Sequence, residues 1–299
     1  MINNEKQSEN MKNYRKSKAV QTTSLRSKER NVGLYIFLTL LAIFWLFPLL
    51  IVVLTSIKTQ MEVVSKGVFA LPLEIHLENF LQAWETGHFN IFYRNSLIIC
   101  FTKVPAGIFV ASLAAFPLAK YNFRLRNTIF LFFLLGLGIP IHIILLPVSI
   151  MLKKMHLLNT LGALFFPYIA YGLPLQILIC RGFFRTIPTD MIDAARIDGC
   201  SEFTIYLRIL LPLAKPALAA LFIIDFLATW NEFLMALIFI HSEKWKTVPL
   251  GMMYFQGQFS SSYPLITAGT ILSILPVLII FFSLQRYFVT GITAGALKG

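Results

Sequence analysis

The chain has 299 residues, of which 57% are hydrophobic and 13% are charged, and its mean hydropathy is +0.72. A soluble domain carries about 25% charged residues, so this composition excludes an ordinary soluble protein and predicts one all-α bundle in lipid. The formal net charge of +12 is expected to reflect membrane topology, because cytoplasmic loops collect Lys and Arg, and no nucleic-acid partner is predicted.

The first part of the chain, residues 1–32, is polar and rich in Lys, Arg, Ser and Asn. This composition predicts a disordered cytoplasmic tail. It does not fit a cleaved signal peptide, because the apolar run behind it is too long and lacks a small-residue cleavage site. Residues 33–299 are predicted to form one transmembrane domain.

Six apolar segments follow the tail, and each has about the 20 residues that cross a hydrocarbon core. Backbone groups in lipid must pair within their own segment, so these six segments are predicted to be transmembrane helices. Internal prolines are expected to kink the helices without breaking them. The segments lie at roughly 34–57, 96–119, 128–152, 160–180, 216–240 and 264–288, and the prolines include Pro105, Pro140, Pro147, Pro174 and Pro276.

Basic residues predict the orientation of these spans. With six spans both termini lie on one side, and on that side the tail, the 120–126 segment and the loop at about 182–213 carry most of the Lys and Arg. Both termini and the loop are therefore predicted to be cytoplasmic.

The cytoplasmic loop has the pattern of a helix, a sharp turn and a second helix. Asp190 is placed to cap the first helix, and Gly199 suits the left-handed conformation that ends one. Ser201 is placed to cap the second helix, which Pro212 is expected to stop. From the local pattern alone, an amphipathic segment lying on lipid headgroups is equally compatible.

The loop resembles a motif of a known family. The spacing of Asp193-Ala194-Ala195, Gly199, Ile209 and Leu211-Pro212 is similar to the EAA loop in the membrane subunits of bacterial ABC importers. The resemblance implies a type I importer permease fold and a coupling helix that docks on an ATP-hydrolysing subunit. Asp193 stands where the family usually has Glu, so its carboxylate reaches less far. The implied interface residues are Asp190, Asp193, Ala194, Ala195, Arg196, Asp198, Gly199, Ser201, Leu211 and Pro212.

Further motifs resemble the maltose and glycerol-phosphate class of carbohydrate permeases, and specifically its six-span subunit. They are Thr55-Ser56-Ile57-Lys58, Glu78-Asn79-Phe80, Asn95-Ser96-Leu97, Trp230-Asn231-Glu232-Phe233, Pro249-Leu250-Gly251 and the ending from Gln285 to Gly299. The resemblance covers residues 33–299. A permease for another solute, such as a polyamine or a phosphate ester, is the alternative.

The resemblance implies a complex in the bacterial cytoplasmic membrane. Its partners are a second, different permease subunit, two ATP-binding subunits that bind ATP and Mg, and an extracytoplasmic solute-binding protein. The chain itself has no GxxxxGK[ST] phosphate loop, so it is not expected to be an enzyme or to bind a cofactor. No metal site is expected, because the three cysteines and five histidines lack metal-ligand spacing.

Charged residues within the spans are the second candidate site. Asp225, Thr229 and Glu232 share one face of a continuous fifth helix, and a charge in lipid is costly, so this face is expected to meet the transport pathway or the partner subunit. Trp230 and Asn231 belong to the same candidate region. Packing inside the subunit is the alternative.

Lys103 in the second span is at a depth that matches Glu232, and an ion pair between the two is one hypothesis. The alternative is that Lys103 extends outward to the interface.

Two unrelated classes of function are alternatives to the importer. A stand-alone secondary transporter is expected to show internal repeats and interrupted helices with paired charges at the midplane, which the sequence does not indicate. An intramembrane enzyme needs a catalytic dyad or a metal, and no residue spacing supports either one.

Overall fold

The structure is a computed structural model that describes residues 32–255 and 262–296. The predicted tail therefore lies outside the described residues except for its last position. The described residues form helices and no strands, which agrees with the all-α prediction.

The described residues contain fourteen α-helices, α1 to α14 in chain order. Short 3-10 and π turns join several of them, most notably at Gly136–Gly138 and Tyr206–Leu210. The helices are α1 Val32–Ser56, α2 Gln60–Lys66, α3 Glu78–Thr86, α4 Phe89–Lys120, α5 Arg126–Leu135, α6 Ile141–Lys154, α7 Gly162–Phe184, α8 Thr189–Ile197, α9 Glu202–Ile205, α10 Leu211–Leu213, α11 Lys215–Trp230, α12 Leu234–Phe239, α13 Val248–Gly251 and α14 Tyr263–Ala296.

Four helices of the described chain are long and apolar enough to cross a membrane: α1, α4, α7 and α14. Two further pairs of helices are bent. If each bent pair is counted as one span, the described chain has up to six spans. The six predicted segments thus all correspond to apolar helical regions, but two of them are not continuous helices.

The third predicted span is broken. Residues Arg126–Gly138 and Ile141–Lys154 meet at an angle of 99°. Ile139 between them is extended, as a residue before a proline prefers, and Pro140 cannot donate a backbone hydrogen bond. The prediction that prolines only kink the spans is therefore wrong at Pro140, whereas Pro105 and Pro174 lie inside continuous helices.

The fifth predicted span, at 216–240, is interrupted too. Helix α11 ends at Trp230, and α12 begins only at Leu234. On the other side, the Glu202–Leu213 segment meets α11 at 77°. The supposed continuous face through Asp225, Thr229 and Glu232 is therefore cut after Thr229.

The core of the subunit lies around α4, which packs mainly against α7 and also against α11. Ala111 and Ala115 on α4 are fully buried, and such small residues let membrane helices approach closely. Helix α11 also packs along α14. By contrast, the most apolar 18-residue window of α1 is not buried at all within this subunit.

Candidate functional site

The loop between α7 and α11 begins with α8, which ends at a left-handed glycine. Gly199 has a φ of +77°. The backbone N–H groups of Gly199 and Cys200 donate to the carbonyls of Arg196 and Ala195, each at 3.0 Å. This pair of bonds is a Schellman motif, so the predicted sharp turn is confirmed.

The start of α8 differs from the prediction. Pro188 occupies the N-cap position, and Asp190 lies inside the first turn of the helix. The carboxylate of Asp190 still complements the positive end of the helix dipole, but Asp190 is not the capping residue.

The second helix of the loop has three segments. Ser201 caps α9 by accepting a hydrogen bond from the Thr204 N–H at 3.3 Å, as predicted. The helix then widens into a π turn at Tyr206–Leu210. Pro212 does not stop the helix: it lies in the first turn of α10, where a missing N–H is tolerated, and the helix continues to Leu213.

Arg196 joins the two helices of the loop. Its Nη1 donates to Asp193 at 2.8 Å, and its Nε and Nη2 donate to both carboxylate oxygens of Glu202 at 2.7 and 3.3 Å. The hydrogen bond with Glu202 raises the pKa of Arg196 above its usual range. Asp193 is thus engaged within its own helix, although its side chain remains 59% exposed.

The loop is also connected to the end of α4. The Tyr121 hydroxyl donates to Glu202, and the Lys120 ammonium donates to the Ile187 carbonyl. Burial, followed by the hydrogen bond with Glu202, raises the pKa of Tyr121 to about 12. Side chains therefore connect the loop to the end of α4, and the backbone connects it to α11.

Most residues of the predicted interface face outward. The exposed ones are Asp190, Asp193, Ala194, Asp198, Gly199, Ser201 and Pro212, while Arg196 and Leu211 are half-buried. Ala195 is instead buried in the subunit's own core, so it is not part of the outer surface.

The two most exposed large apolar side chains of the loop were not among the predicted interface residues. Ile197 is 87% exposed at the tip of α8, and Phe203 on α9 is 56% exposed. Isolated apolar residues in a polar loop were the available signal. Together with the carboxylates around them, they give the loop a knob that another protein surface can bury.

The second site is a cavity of about 310 Å³ between the spanning helices. Lys103 on α4 donates to Asp225 on α11 at 2.6 Å and to Thr229 at 3.2 Å. The side chains of Lys103 and Asp225 are only 3% and 8% exposed. Lys103 therefore does not extend outward to the interface, and its ion-pair partner is Asp225.

The hypothesis of a Lys103–Glu232 ion pair is wrong. Glu232 follows the end of α11, and its carboxylate oxygens accept from the Met235 and Ala236 N–H groups at 2.7 and 3.2 Å. The Tyr168 hydroxyl also donates to Glu232. The broken helix turns Glu232 toward the start of α12, where these N–H groups satisfy its charge, although Glu232 still lines the cavity.

Gln176 on α7 is a cavity residue that the sequence analysis missed. It is 1% exposed, and within the described chain neither its Oε1 nor its Nε2 has a hydrogen-bond partner. A Cβ atom at Gly172 would lie 3.1 Å from the Gln176 amide nitrogen and 3.4 Å from Lys103 Nζ. Gly172 thus makes room for a polar cluster of Gln176, Lys103 and Asp225.

Trp230 and Asn231 do not line this cavity. Trp230 is 2% exposed, donates to the Ser273 carbonyl at 3.0 Å and stacks on Phe226. It therefore holds α11 against α14 inside the subunit. Asn231 ends α11, and its amide donates to the Leu227 carbonyl at 3.0 Å. The candidate region thus divides into cavity residues, the packing residue Trp230 and the exposed Asn231.

Comparison with known proteins supports this architecture. The family model described as binding-protein-dependent transport system inner membrane component matches residues 103–294, which include both sites. The arabinooligosaccharides transport system permease protein AraQ of Halalkalibacterium halodurans is 35% identical over 85% of this chain and 91% of its own length. The melibiose/raffinose/stachyose import permease protein MelC of Bacillus subtilis is 32% identical over 84% and 91%.

A solved structure shares the fold. A chain of a bacterial ABC transporter involved in the import of the acidic polysaccharide alginate superposes with a TM-score of 0.73 and 22% identity, covering 86% of this chain and 96% of that one. The predicted all-α importer fold is confirmed by this similarity.

Proposed function

The chain belongs to the family of binding-protein-dependent transport system inner membrane components, and from this premise we propose that it is one permease subunit of an ATP-driven carbohydrate importer. Its cargo is a sugar or an oligosaccharide, which crosses the membrane by alternating access. The chain supplies a pathway and hydrolyses no ATP itself.

The observation that carries this proposal is the connection of the loop to the cavity. Helix α8 with its exposed Ile197 is connected through Arg196 and Glu202 to Tyr121 at the end of α4, and through α10 to α11. Helices α4 and α11 hold Lys103 and Asp225 in the cavity wall. A force applied to α8 by an ATP-binding subunit would therefore move two helices that line the pathway.

The choice of a carbohydrate rests on the relatives and on the cavity chemistry. AraQ and MelC are named for oligosaccharides, and the Gln176 amide has a donor and an acceptor that find no partner among the described residues. Sugar hydroxyls are both donors and acceptors, so they complement such a group. The tyrosines Tyr168 and Tyr171 add polar-tipped aromatic surface to the wall. A polyamine or phosphate-ester permease is the second candidate.

The proposed assembly contains a second permease subunit, two ATP-binding subunits that hold ATP and Mg, and an extracytoplasmic solute-binding protein. It lies in the bacterial cytoplasmic membrane with both termini of this chain in the cytoplasm. The loop at 182–213 faces the ATP-binding subunits, and residues 1–32 form a cytoplasmic tail before the transmembrane domain at 33–299.

Reconstitution tests this proposal. The chain is co-expressed with candidate permease, ATPase and binding-protein subunits from the same organism, and the complex is placed in liposomes. Uptake of labelled raffinose and arabinotriose is compared with uptake of spermidine and glycerol 3-phosphate. The proposal expects binding-protein-dependent, ATP-driven uptake of an oligosaccharide. Uptake of spermidine or glycerol 3-phosphate alone would favour the second candidate.

A matched pair of variants then tests the loop. Ile197→Asp places a charge on the exposed knob and is expected to abolish recovery of the ATP-binding subunits with the complex. Ile75→Asp, at a 68% exposed position between α2 and α3, introduces the same change outside the spans and away from the loop. If Ile197→Asp retains the ATP-binding subunits as the unmodified complex does, the loop is not their docking site.

A further inference from the structure

Three arginines converge at the end of α7 that leads into the loop. Arg126 begins α5, Arg181 lies in the last turn of α7, and Arg185 follows the end of that helix. The Arg181 guanidinium lies 3.7 Å from the ring centroid of Phe130, one turn beyond Arg126 on α5. Arg185 lies one helical turn beyond Arg181, so the three positive side chains lie close together. We call these three residues the arginine cluster.

The arginine cluster has only neutral partners. Arg126 Nη1 donates to the Asn122 side chain at 2.8 Å and to the Tyr121 carbonyl at 3.3 Å, and Arg181 Nε donates to the Leu118 carbonyl at 3.0 Å. Within residues 32–255 and 262–296, none of the three arginines forms a salt bridge. Several guanidinium N–H groups thus remain available for an anion.

The position of Arg126 makes an anion still more favourable. A cation at a helix N-terminus opposes the helix dipole, and the first turn of α5, Arg-Asn-Thr-Ile, contains no acidic residue. The backbone N–H groups of that turn point toward the helix N-terminus, which is the positive end of the helix dipole. An anion bound there would therefore interact with the helix N-terminus and with the guanidinium groups together.

The surface beside the cluster is apolar and open. None of the residues of α5 is buried within the subunit, and Leu131, Phe132 and Leu135 are 58%, 72% and 65% exposed. Helix α5 leads from the cluster into the apolar zone of the spans. A ligand with an anionic head and apolar chains fits this combination better than a free anion does.

We propose that the arginine cluster binds the phosphate of an anionic phospholipid whose acyl chains lie along α5. Phosphatidylglycerol has the required chemistry: a phosphodiester that accepts hydrogen bonds from guanidinium groups and two apolar chains. Basic clusters between helices at the cytoplasmic side of membrane proteins bind such head groups. This proposal does not depend on which solute the complex carries.

Native mass spectrometry of the purified complex tests the proposal, with titration of phosphatidylglycerol against phosphatidylcholine. The test variant Arg126→Gln/Arg185→Gln keeps the packing of Arg181 on Phe130. The control variant Lys153→Gln/Lys154→Gln removes the same charge from the end of α6. We expect the test variant to bind phosphatidylglycerol about thirtyfold more weakly, because each basic residue contributes roughly a factor of five, whereas the control variant keeps the unmodified affinity.

Three outcomes would overturn the proposal. The unmodified complex could bind the two lipids equally well. The test and control variants could lose affinity equally, which would indicate a general effect of net charge. Loss of a neighbouring subunit from the test variant, with phosphatidylglycerol binding unchanged, would show that acidic residues of that subunit occupy the cluster instead.

Discussion

Lys103 on α4 and Asp225 on α11 form an ion pair of 2.6 Å in the interior of the membrane-spanning bundle. Breaking one member of such a buried pair leaves an uncompensated charge and costs about 3–5 kcal/mol, whereas replacing both members by apolar residues is often neutral. The pair connects two helices that line the cavity, and removing one of its two charges is expected to destabilise the protein strongly.

Single substitutions of this pair should destabilise the complex more than the double substitution. We expect Lys103→Met and Asp225→Leu each to lower the thermal stability of the purified complex strongly, and Lys103→Met/Asp225→Leu to restore most of it. Fluorescence-detected size exclusion after heating measures the effect. The control is Lys103→Met/Glu232→Leu, which removes a carboxylate that Lys103 does not contact. Equal recovery in the two double variants would contradict the observed pairing.

Substitution of Gln176 should separate stability from transport. Because its amide is buried and has no partner in the described chain, Gln176→Leu should stabilise the complex by about 1 kcal/mol. If the amide binds cargo hydroxyls, the same change should raise the KM for oligosaccharide uptake about tenfold, since a lost hydrogen bond is worth about 1.4 kcal/mol.

Thr247→Val is the matched control for Gln176→Leu. The Thr247 hydroxyl is likewise buried and unpartnered in the described chain, but it does not line the cavity. It should stabilise the complex without changing uptake. An unchanged KM for uptake in Gln176→Leu would show that the Gln176 amide does not bind the cargo.

Arg196 should matter for coupling and little for stability. Its ion pairs with Asp193 and Glu202 are largely exposed, so Arg196→Ala should change the free energy of unfolding by less than about 1 kcal/mol. We expect it to lower the amount of sugar moved per ATP severalfold, because α8 loses its connection to α9 and α4. The control is Arg208→Ala, an exposed arginine on the π turn. Equal transport per ATP in the two variants would contradict this role.

Substitution of Gly199 should be unfavourable because of its backbone conformation and not because of steric contacts. A Cβ atom there would meet nothing within 4 Å, but the φ of +77° would cost an alanine about 1–2 kcal/mol. Gly199→Ala should therefore weaken association with the ATP-binding subunits, and Gly199→Asn should be tolerated better. Gly182→Ala is the control, because that helical glycine also has open space and no positive φ. Pull-down of the ATP-binding subunits measures both effects.

Much of the fold was determined by local sequence. The length of the apolar segments was enough to locate all six helical regions, because backbone groups in lipid must pair within their own segment. Gly199 and Ser201 predicted the turn and the second cap of the loop, because left-handed backbone and N-cap hydrogen bonds depend on the residue itself.

Tertiary structure decided which charges meet. Depth along the spans matched Lys103 with Glu232, but lateral position depends on how helices pack, and packing brought Lys103 to Asp225. The break after Trp230 turned Glu232 toward the N–H groups of α12. In the same way, only the packing of α4, α7 and α11 shows that Gln176 is buried with no partner in the part of the chain that the structure describes, because hydrogen-bond partners distant in sequence leave no local signal.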